Sequence, residues 1–448
     1  MLTNKIYKSS CYPEKETYKQ EVYSPYNELP LIMKNFILTT IIIIFSNLIV
    51  FGQENAFVKI IDENAFEIKE TNPKIEFKKS NKLDNIFENV RIFGFGEATH
   101  GTKDFFDIKI KFFKYLVKNH DVKNFAIEGS FGNCVGIDNY IKGKDTDPKK
   151  LIRQMGFWIW NNEEVLSLIE WMKKYNLNKT ESEQLNFYGI DIMDASNSAK
   201  LISEFIENNS LENRKDYLKV LSFYKSNINS NNLKKNELTK HLKLMLQLKK
   251  NIEEFNFQEN KLYVRLQNSI IQYINFRLDY NQENRDKGMS DNISHILLTE
   301  GNNTKVFIWT HNFHVKKNNI TYTNDRSMGH FLKEKFREKY YSIGFDFAVG
   351  DFYAINPKKN RIEKYTINEP MKNTSSELFY KSNLTSFFLD FKSISKNKVA
   401  YEFLNKKVKY RGIGSTYNPK MIEKEKLLDA YDGIIFVEKT KESTYLRK

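Results

Sequence analysis

Short apolar runs alternate with longer amphipathic segments from about residue 90 to the end of the chain. The runs are almost continuously apolar, which is typical of strands that are buried on both faces of a sheet. We predict six of them as strands, at 91–96, 124–129, 185–190, 305–310, 340–346 and 433–438. Helical periodicity separates several of these runs, for example over 105–120 and 163–175. The alternation predicts an α/β fold with a largely parallel central sheet flanked by helices.

The segment from about 196 to 283 departs from this alternation. It contains no strand pattern and no proline, and its longest amphipathic stretches cover 238–255 and 260–280. We interpret it as an inserted helical hairpin or small bundle that forms one wall of an active-site cleft. The Lys-rich region 351–432 has no pattern that assigns it to helix or strand.

A hydrophobic stretch near the N-terminus is typical of a secretory signal. One lysine follows Met33, and residues 36–51 are apolar apart from two threonines, one serine and one asparagine, with small residues before Gln53 where a signal peptidase would cut. We therefore expect 1–52 to be a leader and signal peptide, translation to start at Met33, and an α/β domain over 53–448 to be secreted to a bacterial periplasm. The alternative is an uncleaved anchor. The run is somewhat short for the roughly 20 apolar residues of a membrane span, so we expect no stable membrane anchor.

The composition is that of a globular protein, with 40% hydrophobic and 14% aromatic residues among 448. The net charge is +14, but the 70 basic residues are spread along the whole chain beside 56 acidic ones and form no Arg-rich block. We therefore expect no nucleic-acid partner. The two cysteines, Cys11 and Cys134, are too few for a disulfide framework and lack the paired spacing of a metal site.

Acidic and histidine side chains follow the ends of four predicted strands. Glu97 and His100 follow the first strand, Glu128 lies at the end of the second, Asp191 follows the third, and His311 and His314 follow the fourth. Ligands of an open parallel sheet bind outside the carboxyl ends of its strands. We therefore expect these side chains to share one site.

Each of these residues also has a structural interpretation. Glu97 would cap a helix that opens near Thr102, and His100 would be an ordinary turn histidine. For Asp191 we favour the capping of a helix that begins near Asp194. The H-x-x-H spacing of the two later histidines places both imidazoles on one helix face, either as a metal pair or as polar packing. The glutamate in AIEGS is the hardest to explain structurally, because a carboxylate inside an apolar run is costly to bury without a partner.

Six segments resemble, in this order along the chain, the motifs of the erythromycin esterase family. They are GFGEATHGTKDFFDIKIKFFKYLV, FAIEGSFG, GFWIWNNEEVLSLIEWM, FYGIDIMDA, RDKGMSDNI and VFIWTHNFHV. The resemblance extends from about residue 90 to the end of the chain. It implies a hydrolase that opens the lactone ester of macrolide antibiotics such as erythromycin and so confers antibiotic resistance.

The resemblance also implies roles for single residues. His100 matches the histidine that acts as general base on water, and Glu97 and Glu128 match the carboxylates that accompany it. His311 and His314 match the later histidines of the family. The implied catalytic set therefore consists of these five residues.

Candidate substrate-binding residues lie beside this set. Lys109 stands nine residues after His100, where relatives usually carry an arginine. Lysine keeps the charge of arginine but lacks its bidentate fork. Asp191 is a further candidate for contact with the substrate. Trp158 and Trp160 of GFWIW would supply apolar walls for a large ring, although we expect one of the two tryptophans to belong to the core.

Hydrolysis by an activated water fits these side chains. His100 has the intrinsic pKa to take a proton from water near neutral pH. Either glutamate would fix its tautomer and stabilise the imidazolium that forms, and one of the later histidines or Lys109 would hold the oxyanion. The chain has no G-x-S-x-G nucleophile elbow, so we do not expect a covalent serine route.

Other functions stay open at this point. Three histidines and two glutamates in one pocket would also suit a divalent metal such as zinc, which lowers the pKa of bound water to about 7. We expect no cofactor, because the spacings do not match the helical H-E-x-x-H signature. The alternatives are a metal-dependent hydrolase of another ester or of an envelope-polysaccharide substituent, and a non-catalytic periplasmic binding protein on the same scaffold. The partner that we expect is a small molecule, a macrolide lactone.

Overall fold

The computed structural model describes residues 31–226, 231–254, 261–301, 303–320 and 323–446, without the side chains of 31, 32, 34 and 41–51. The chain divides into two units, Met1–Gln53 and Glu54–Lys448. Helix α1 covers Leu31–Asn64 and so continues through the cleavage point that the sequence predicts before Gln53. Among the described residues, no helix combines the length and the apolar character that a membrane span needs. Residues 1–30 of the predicted leader lie outside the described residues, and the signal peptide and the start at Met33 stay predictions.

One large sheet forms the centre of the second unit. The strands are β1 (Phe66–Glu67), β2 (Ile92–Phe95), β3 (Asn124–Ser130), β4 (Asn186–Asp191), β5 (Val306–Trp309), β6 (Tyr340–Asn356), β7 (Arg361–Ile367), β8 (Ser386–Asp390), β9 (Lys407–Arg411), β10 (Ile422–Lys426) and β11 (Gly433–Thr440). In the described part of the chain, nine of them pair in the order β1-β8-β11-β6-β2-β5-β3-β4, with β7 beside β6.

The sheet is largely parallel, as the sequence predicts. The strands from β11 to β4 in this order all run parallel. The exceptions lie at one edge, where β8 is antiparallel to β11 and β1 is antiparallel to β8, and in the hairpin of β6 with β7. Strands β9 and β10 form a separate antiparallel ribbon. The predicted fold class, a parallel central sheet flanked by helices, is confirmed.

All six predicted strands are present, and five of them agree with the prediction to within about two residues at each end. The exception is β6, which continues to Asn356 because its second half pairs with β7 and alternates between buried and partly exposed positions. The region 351–432, which has no recognisable pattern, supplies β7, β8, β9 and β10. The sequence pattern misses β8 because its buried run is only five residues long and lies among Lys- and Asn-rich segments.

Helices cover both faces of the sheet. They are α2 (Asn81–Phe87), α3 (Lys103–His120), α4 (Phe131–Ile141), α5 (Pro148–Gln154), α6 (Glu163–Asn176), α7 (Ser196–Asn208), α8 (Arg214–Tyr224), α9 (Lys235–Glu254), α10 (Lys261–Leu278), α11 (Gln282–Thr299), α12 (Asn312–Val315), α13 (Met328–Phe336), α14 (Ser375–Phe379), α15 (Phe391–Ile394), α16 (Lys398–Leu404) and α17 (Leu427–Ala430). Short 3₁₀ turns cover Trp158–Trp160, Glu181–Glu183 and Arg337–Lys339. Helices α7 to α10 fall within 196–283, where the described residues contain no strand, and α10 packs on α9 and α7. The role of this segment as a cleft wall stays a prediction.

Two hydrophobic cores lie on the two faces of the sheet, because successive side chains of a strand point in opposite directions. In β5, Val306 and Ile308 face the core that includes α7 to α11, whereas Phe307 faces the core that includes α3 and α6. The ring of Phe307 stacks on Phe95 of β2, with centroids 4.6 Å apart, and on Phe125 of β3 at 5.7 Å. This aromatic row packs across three of the four strands whose carboxyl ends carry the candidate site.

Candidate active site

The carboxyl ends of four adjacent strands carry all the acidic and histidine residues predicted for the site. In the sheet order they are Glu97 and His100 after β2, His311 and His314 after β5, Glu128 in β3 and Asp191 at the end of β4. The rings of His100 and His311 have centroids 4.9 Å apart, and His314 Nε2 lies 3.4 Å from Glu128 Oε1. The structure therefore brings these side chains together.

The imidazole of His100 is held by one carboxylate. Its Nδ1 lies 2.6 Å from Glu97 Oε1. Because an ionised carboxylate only accepts, the hydrogen-bond network assigns the proton to Nδ1 and leaves a lone pair on Nε2. Within the part of the chain that the structure describes, Nε2 has no hydrogen-bond partner. With a ring that is 7% exposed, His100 offers this nitrogen to a water molecule.

Glu97 is fully buried, and its surroundings keep it ionised. Lys109 Nζ forms an ion pair with Glu97 Oε2, and Trp309 Nε1 donates to the same oxygen at 2.9 Å. Burial acts to raise the pKa of Glu97, but the charge of Lys109 and the bond to His100 hold it below its ordinary value. The carboxylate therefore orients the imidazole and does not cap α3, whose N-cap is Thr102.

Lys109 has a different position from the one that a substrate contact would require. Its side chain is fully buried, and its ammonium lies 4.4 Å from the ring centroid of Trp309. Burial lowers the pKa of Lys109 to about 8, against the attraction of Glu97. We correct the prediction of substrate binding: Lys109 acts through Glu97. An ion pair to one oxygen and a cation–π contact need no guanidinium fork, which is why a lysine suffices here.

Glu128 is buried at the apolar end of β3 and has partners on both oxygens. Its Oε2 accepts hydrogen bonds from Thr310 Oγ1 at 2.5 Å and from the His311 amide at 3.0 Å. Its Oε1 faces Arg285 Nη2 at 2.8 Å and His314 Nε2 at 3.4 Å. Burial acts to raise the pKa of Glu128, but the charges of His314 and Arg285 keep it well below its ordinary value. The ionised carboxylate thus joins β3 to the loop after β5.

Arg285, in the first turn of α11, is a site residue that the sequence analysis did not single out, although its segment RDKGMSDNI is among the family motifs. Its Nε bonds Asp191 Oδ1 at 3.1 Å, and its Nη2 bonds Asp191 Oδ2 at 2.7 Å. The same Nη2 bonds Glu128, so one guanidinium serves two strand ends. Two buried carboxylates at neighbouring strand ends require a cation between them. This requirement is the signal that points to an arginine.

Asp191 does not cap a helix, as the sequence analysis favoured, and it is buried away from a position where a substrate would be reached. It is 1% exposed, and both of its carboxylate oxygens bond Arg285. The amide of Ser196, in the first turn of α7, instead donates to Asp194 Oδ1 at 2.7 Å. Both earlier interpretations of Asp191 are therefore corrected, because its side chain turns inward to the arginine.

Two carboxylates face the ring of His314 and favour its cationic form. Its Nδ1 donates to Asp286 Oδ1 at 2.8 Å, and this oxygen also accepts the Met328 amide at 2.7 Å. Burial acts to lower the pKa of His314, but Asp286 and Glu128 raise it to about 10. The Nε2–H faces Glu128 at 3.4 Å, which is long for a hydrogen bond. This N–H is therefore only weakly engaged by Glu128 and is able to donate to a further acceptor.

His311 is neutral and has both ring nitrogens engaged. Its Nε2 donates to the Ile413 carbonyl at 2.6 Å, and its Nδ1 accepts the Phe313 amide at 3.2 Å. Burial and the neighbouring imidazole of His100 lower the pKa of His311 to about 3. The sequence analysis counted this residue among the oxyanion donors, which is corrected here because its ring has no free N–H. His311 is the N-cap of α12, whereas His314 lies within that helix. The two histidines of H-x-x-H therefore do not share a helix face, and their rings have different partners.

The two histidines of THNFH are expected to titrate at opposite ends of the pH range. In ¹⁵N imidazole NMR spectra, His314 should stay cationic until the pH approaches about 10, and His311 should stay neutral until it falls to about 3. His314 then stabilises the fold fully below about pH 6.5, the pKa of an unfolded histidine, and this contribution is lost as the pH rises through about 10. The contribution of His311 is present above about pH 6.5 and is lost toward pH 3. Titration of both rings near their ordinary pKa would refute the assignment.

Asn312, between the two histidines, ties the site loops to the sheet. Its Nδ2 donates to the Phe345 carbonyl at 2.8 Å, and its Oδ1 accepts the Phe345 amide at 2.9 Å. Its own amide donates to the Glu97 carbonyl at 3.0 Å. A Cβ on Gly96 would lie 2.3 Å from Asn312 Oδ1, so the GEATHG loop needs a glycine at this point. The two motifs therefore hold each other in place.

The two tryptophans of GFWIW have different surroundings. Trp160 is fully buried, its Nε1 donates to the Glu128 carbonyl at 3.0 Å, and its ring packs on Trp309 with centroids 6.0 Å apart. Trp160 is therefore the one of the two tryptophans that belongs to the core, as expected for one of them, and its prediction as a substrate wall is corrected. Trp158 is half-buried and stays the candidate for that role.

In the described ranges, no group of three or more His, Cys, Asp and Glu side chains is arranged to hold a metal ion. Each imidazole has one nitrogen committed to an oxygen, of Glu97, of the Ile413 carbonyl or of Asp286. The prediction that the protein needs no cofactor stays a prediction.

A cavity of about 640 Å³ lies away from these residues, at the amino ends of β3 and β4. Lys123, Asn124, Asn186 and Lys305 are among the residues that line it, and none of the predicted site residues does. Ligands of parallel sheets bind at the carboxyl ends of the strands. We therefore assign the candidate active site to the histidine cluster and not to this cavity.

A family model described as erythromycin esterase matches residues 117–440. The chain belongs to the erythromycin esterase family. Erythromycin esterase type II of Escherichia coli is 22% identical to it over 429 residues, which cover 86% of this chain and 98% of that protein. A solved succinoglycan biosynthesis protein matches 87% of this chain and 98% of its own, with a TM-score of 0.76 and 22% identity. An erythromycin esterase mutant in its open conformation matches 86% of this chain and 99% of its own, with a TM-score of 0.64 and 14% identity.

Membership in the erythromycin esterase family assigns the protein to the hydrolases. The two solved structures share its mixed α/β fold, with a central sheet flanked by helices. At 22% and 14% sequence identity, the likeness to these two structures shows a shared fold and nothing about the substrate. The choice of substrate therefore depends on the chemistry of the site.

Proposed function

We propose that this member of the erythromycin esterase family hydrolyses the ester bond of a macrocyclic lactone, with His100 as general base. The observation that carries the proposal is the His100–Glu97 pair, which leaves a lone pair on Nε2 while a buried carboxylate holds the other ring nitrogen. The name of the relative from Escherichia coli supports a macrolide as the substrate. Hydrolysis by an enzyme in the periplasm would protect the cell from the antibiotic.

In the first step, His100 Nε2 takes a proton from a water molecule while the water oxygen bonds to the lactone carbonyl carbon. The imidazolium that forms is stabilised by Glu97, which accepts the Nδ1–H. Lys109 keeps Glu97 ionised and in position. A positioned general base of this kind contributes about 10²- to 10⁴-fold to the rate.

The negative charge that develops on the carbonyl oxygen needs donors close to one another. His314 Nε2 and Arg285 Nη1 lie 3.4 Å apart, so one oxygen is able to contact both cations. A single donor to an oxyanion is typically worth about 3 kcal/mol. His314 is one of the donors that the sequence analysis named, and Arg285 takes the place of His311 and Lys109.

In the second step, the bond between the carbonyl carbon and the ring oxygen breaks. The imidazolium of His100 returns its proton from Nε2 to the leaving alkoxide, which restores the neutral base. The product is the opened ring, which carries one carboxylic acid and one alcohol and has the mass of the lactone plus one water. We propose that no metal takes part in either step.

The purified protein is expected to convert erythromycin to a product that mass spectrometry detects as the parent compound with one added water. In H₂¹⁸O the label should appear in the new carboxylate, because the attacking oxygen comes from water. The rate should be unchanged by EDTA. A reaction without protein is the control for spontaneous hydrolysis.

Two results would contradict this proposal in different ways. If no macrolide is hydrated, macrolides are not the substrates. If EDTA abolishes the activity and added Zn²⁺ restores it, the metal-free mechanism is wrong.

A further inference from the structure

Three aromatic side chains from separate parts of the chain meet next to the loop that carries His100. Trp158 lies in the 3₁₀ turn after α5, Tyr353 lies in β6, and Tyr445 lies beyond residue 440, where the family match ends. The ring centroids of Tyr353 and Tyr445 are 4.8 Å apart, and those of Trp158 and Tyr445 are 6.5 Å apart. All three side chains are half-buried. We call Trp158, Tyr353 and Tyr445 the aromatic shelf.

Backbone hydrogen bonds fix the aromatic shelf beside the catalytic loop. The carbonyl of Gly101, the residue after His100, accepts the amides of Tyr353 and Ser443, each at 3.0 Å. A Cβ at Gly101 would lie 2.2 Å from the Tyr353 carbonyl, so this close approach requires a glycine. At the other end, Trp158 shares its turn with the tryptophan that bonds the end of β3. The aromatic shelf therefore spans from the His100 loop to β3.

The segment that carries Tyr445 is anchored by its backbone. The Lys441 amide donates to Asp104 Oδ2 at 2.7 Å, and the Thr444 carbonyl accepts the Glu163 amide at 2.8 Å. These bonds join the segment to the first turns of α3 and α6. Because both helices pack into the core, the ring of Tyr445 is a preorganised surface.

The hydroxyl of Tyr445 takes no part in this anchoring. It is buried, and among the described residues it has no hydrogen-bond partner. The contribution of the side chain is therefore the flat ring and its packing against Tyr353 and Trp158. Flat aromatic rings bind the C–H-rich faces of other rings without needing a polar partner.

We propose that the aromatic shelf binds the apolar face of the lactone ring while His100 acts on its ester bond. This inference rests on the proposed function for the class of ligand. A macrocyclic lactone is a broad ring rich in C–H bonds, and three adjacent aromatic side chains offer a matching apolar surface. Tyr445 lies outside the segment that the family model matches.

Isothermal titration calorimetry with erythromycin tests the binding, in a His100→Ala background that prevents turnover. Tyr445→Leu keeps apolar bulk but removes the flat ring, and we expect the Kd to rise about tenfold. Tyr445→Phe should restore the original Kd, because the hydroxyl is unpaired. Tyr401→Leu is the matched control, since Tyr401 is a 47% exposed tyrosine on α16, and it should leave the Kd unchanged.

In the active protein, Tyr445→Leu should raise KM about tenfold and change kcat by less than about twofold, because the ring contacts the ground state and the transition state alike. Tyr353→Leu should give the same result, and it leaves the C-terminal segment intact in case Tyr445→Leu loosens it. An unchanged Kd in both variants, or a fall in kcat alone, would overturn the aromatic shelf as a binding surface.

Different results would contradict the proposed aromatic shelf and the proposed hydrolase activity. Erythromycin that binds, with a Kd that rises in Tyr445→Leu, but is not hydrolysed contradicts the hydrolase and supports the aromatic shelf. Hydrolysis that is insensitive to Tyr445→Leu contradicts the aromatic shelf and supports the hydrolase. If erythromycin is neither bound nor hydrolysed, both proposals are wrong.

Discussion

Replacement of His100 by glutamine is expected to lower the kcat of lactone hydrolysis about 10³-fold. The amide of glutamine is able to donate to Glu97, but it has no basic nitrogen to take a proton from water. The fold should survive, because Glu97 keeps its ion pair with Lys109 and its hydrogen bond from Trp309. We expect the free energy of unfolding to change by about 1 kcal/mol. The rate of hydrate formation, followed by mass spectrometry, measures the effect on kcat.

His330→Gln is the matched control for this substitution. His330 lies on α13, is half-buried, and has an Nδ1 without a hydrogen-bond partner among the described residues. It has no place in the proposed chemistry, so the variant should keep the full rate. If His100→Gln retains more than about a tenth of the original kcat, another group activates the water.

The charged side chains around His100 are held in ion pairs. Three cations face four carboxylates: Lys109, Arg285 and His314 against Glu97, Glu128, Asp191 and Asp286. Glu97, which accepts a hydrogen bond from Nδ1, is placed to stabilise the imidazolium of the proposed reaction. Because ion pairs within the protein fix each cation, the charges are arranged before the substrate binds.

The part of the site that follows directly from strand ends was predictable from sequence. An apolar run gives the position of a buried strand, and parallel strands place their carboxyl ends at one edge of the sheet. Glu97, His100 and Glu128 could therefore be grouped without any knowledge of strand order. The observed order β2-β5-β3-β4 then puts these residues within two strands of each other.

The direction in which a buried helical side chain points was not predictable in the same way. Lys109 lies on α3, and its spacing from His100 says nothing about whether the ammonium points to the substrate or to the carboxylate behind the histidine. Trp160 and Asp191 were misassigned for the same reason, since each is buried by a neighbour distant in sequence. For Asp191 that neighbour is Arg285, which is 94 residues away. Such pairs depend on how the segment before α11 returns to the sheet, which no local pattern encodes.

Loss of Arg285 is expected to have the largest effect on stability. Arg285→Ala leaves Glu128 and Asp191 buried without their shared cation, and removal of one partner from a buried ion pair costs about 3–5 kcal/mol. The arginine side chain is 13% exposed, so water will relieve part of this cost. We therefore expect the free energy of unfolding at pH 7, measured by urea denaturation, to fall by about 3 kcal/mol.

The pH dependence of this loss identifies its cause. The pKa of Glu128 is held well below its ordinary value of 4.5, so its contribution to stability is present above that pH and is lost as the pH falls through the low folded pKa. Loss of Arg285 removes one of the two cations that offset burial, so the pKa of Glu128 should rise although His314 remains, and the penalty should shrink as the pH falls from 7 toward 4. Arg326→Ala is the matched control: Arg326 pairs with Glu283 at the surface and is 45% exposed, so stability should hardly change. A loss in Arg285→Ala that is independent of pH would mean that Arg285 stabilises the site by packing and not by charge.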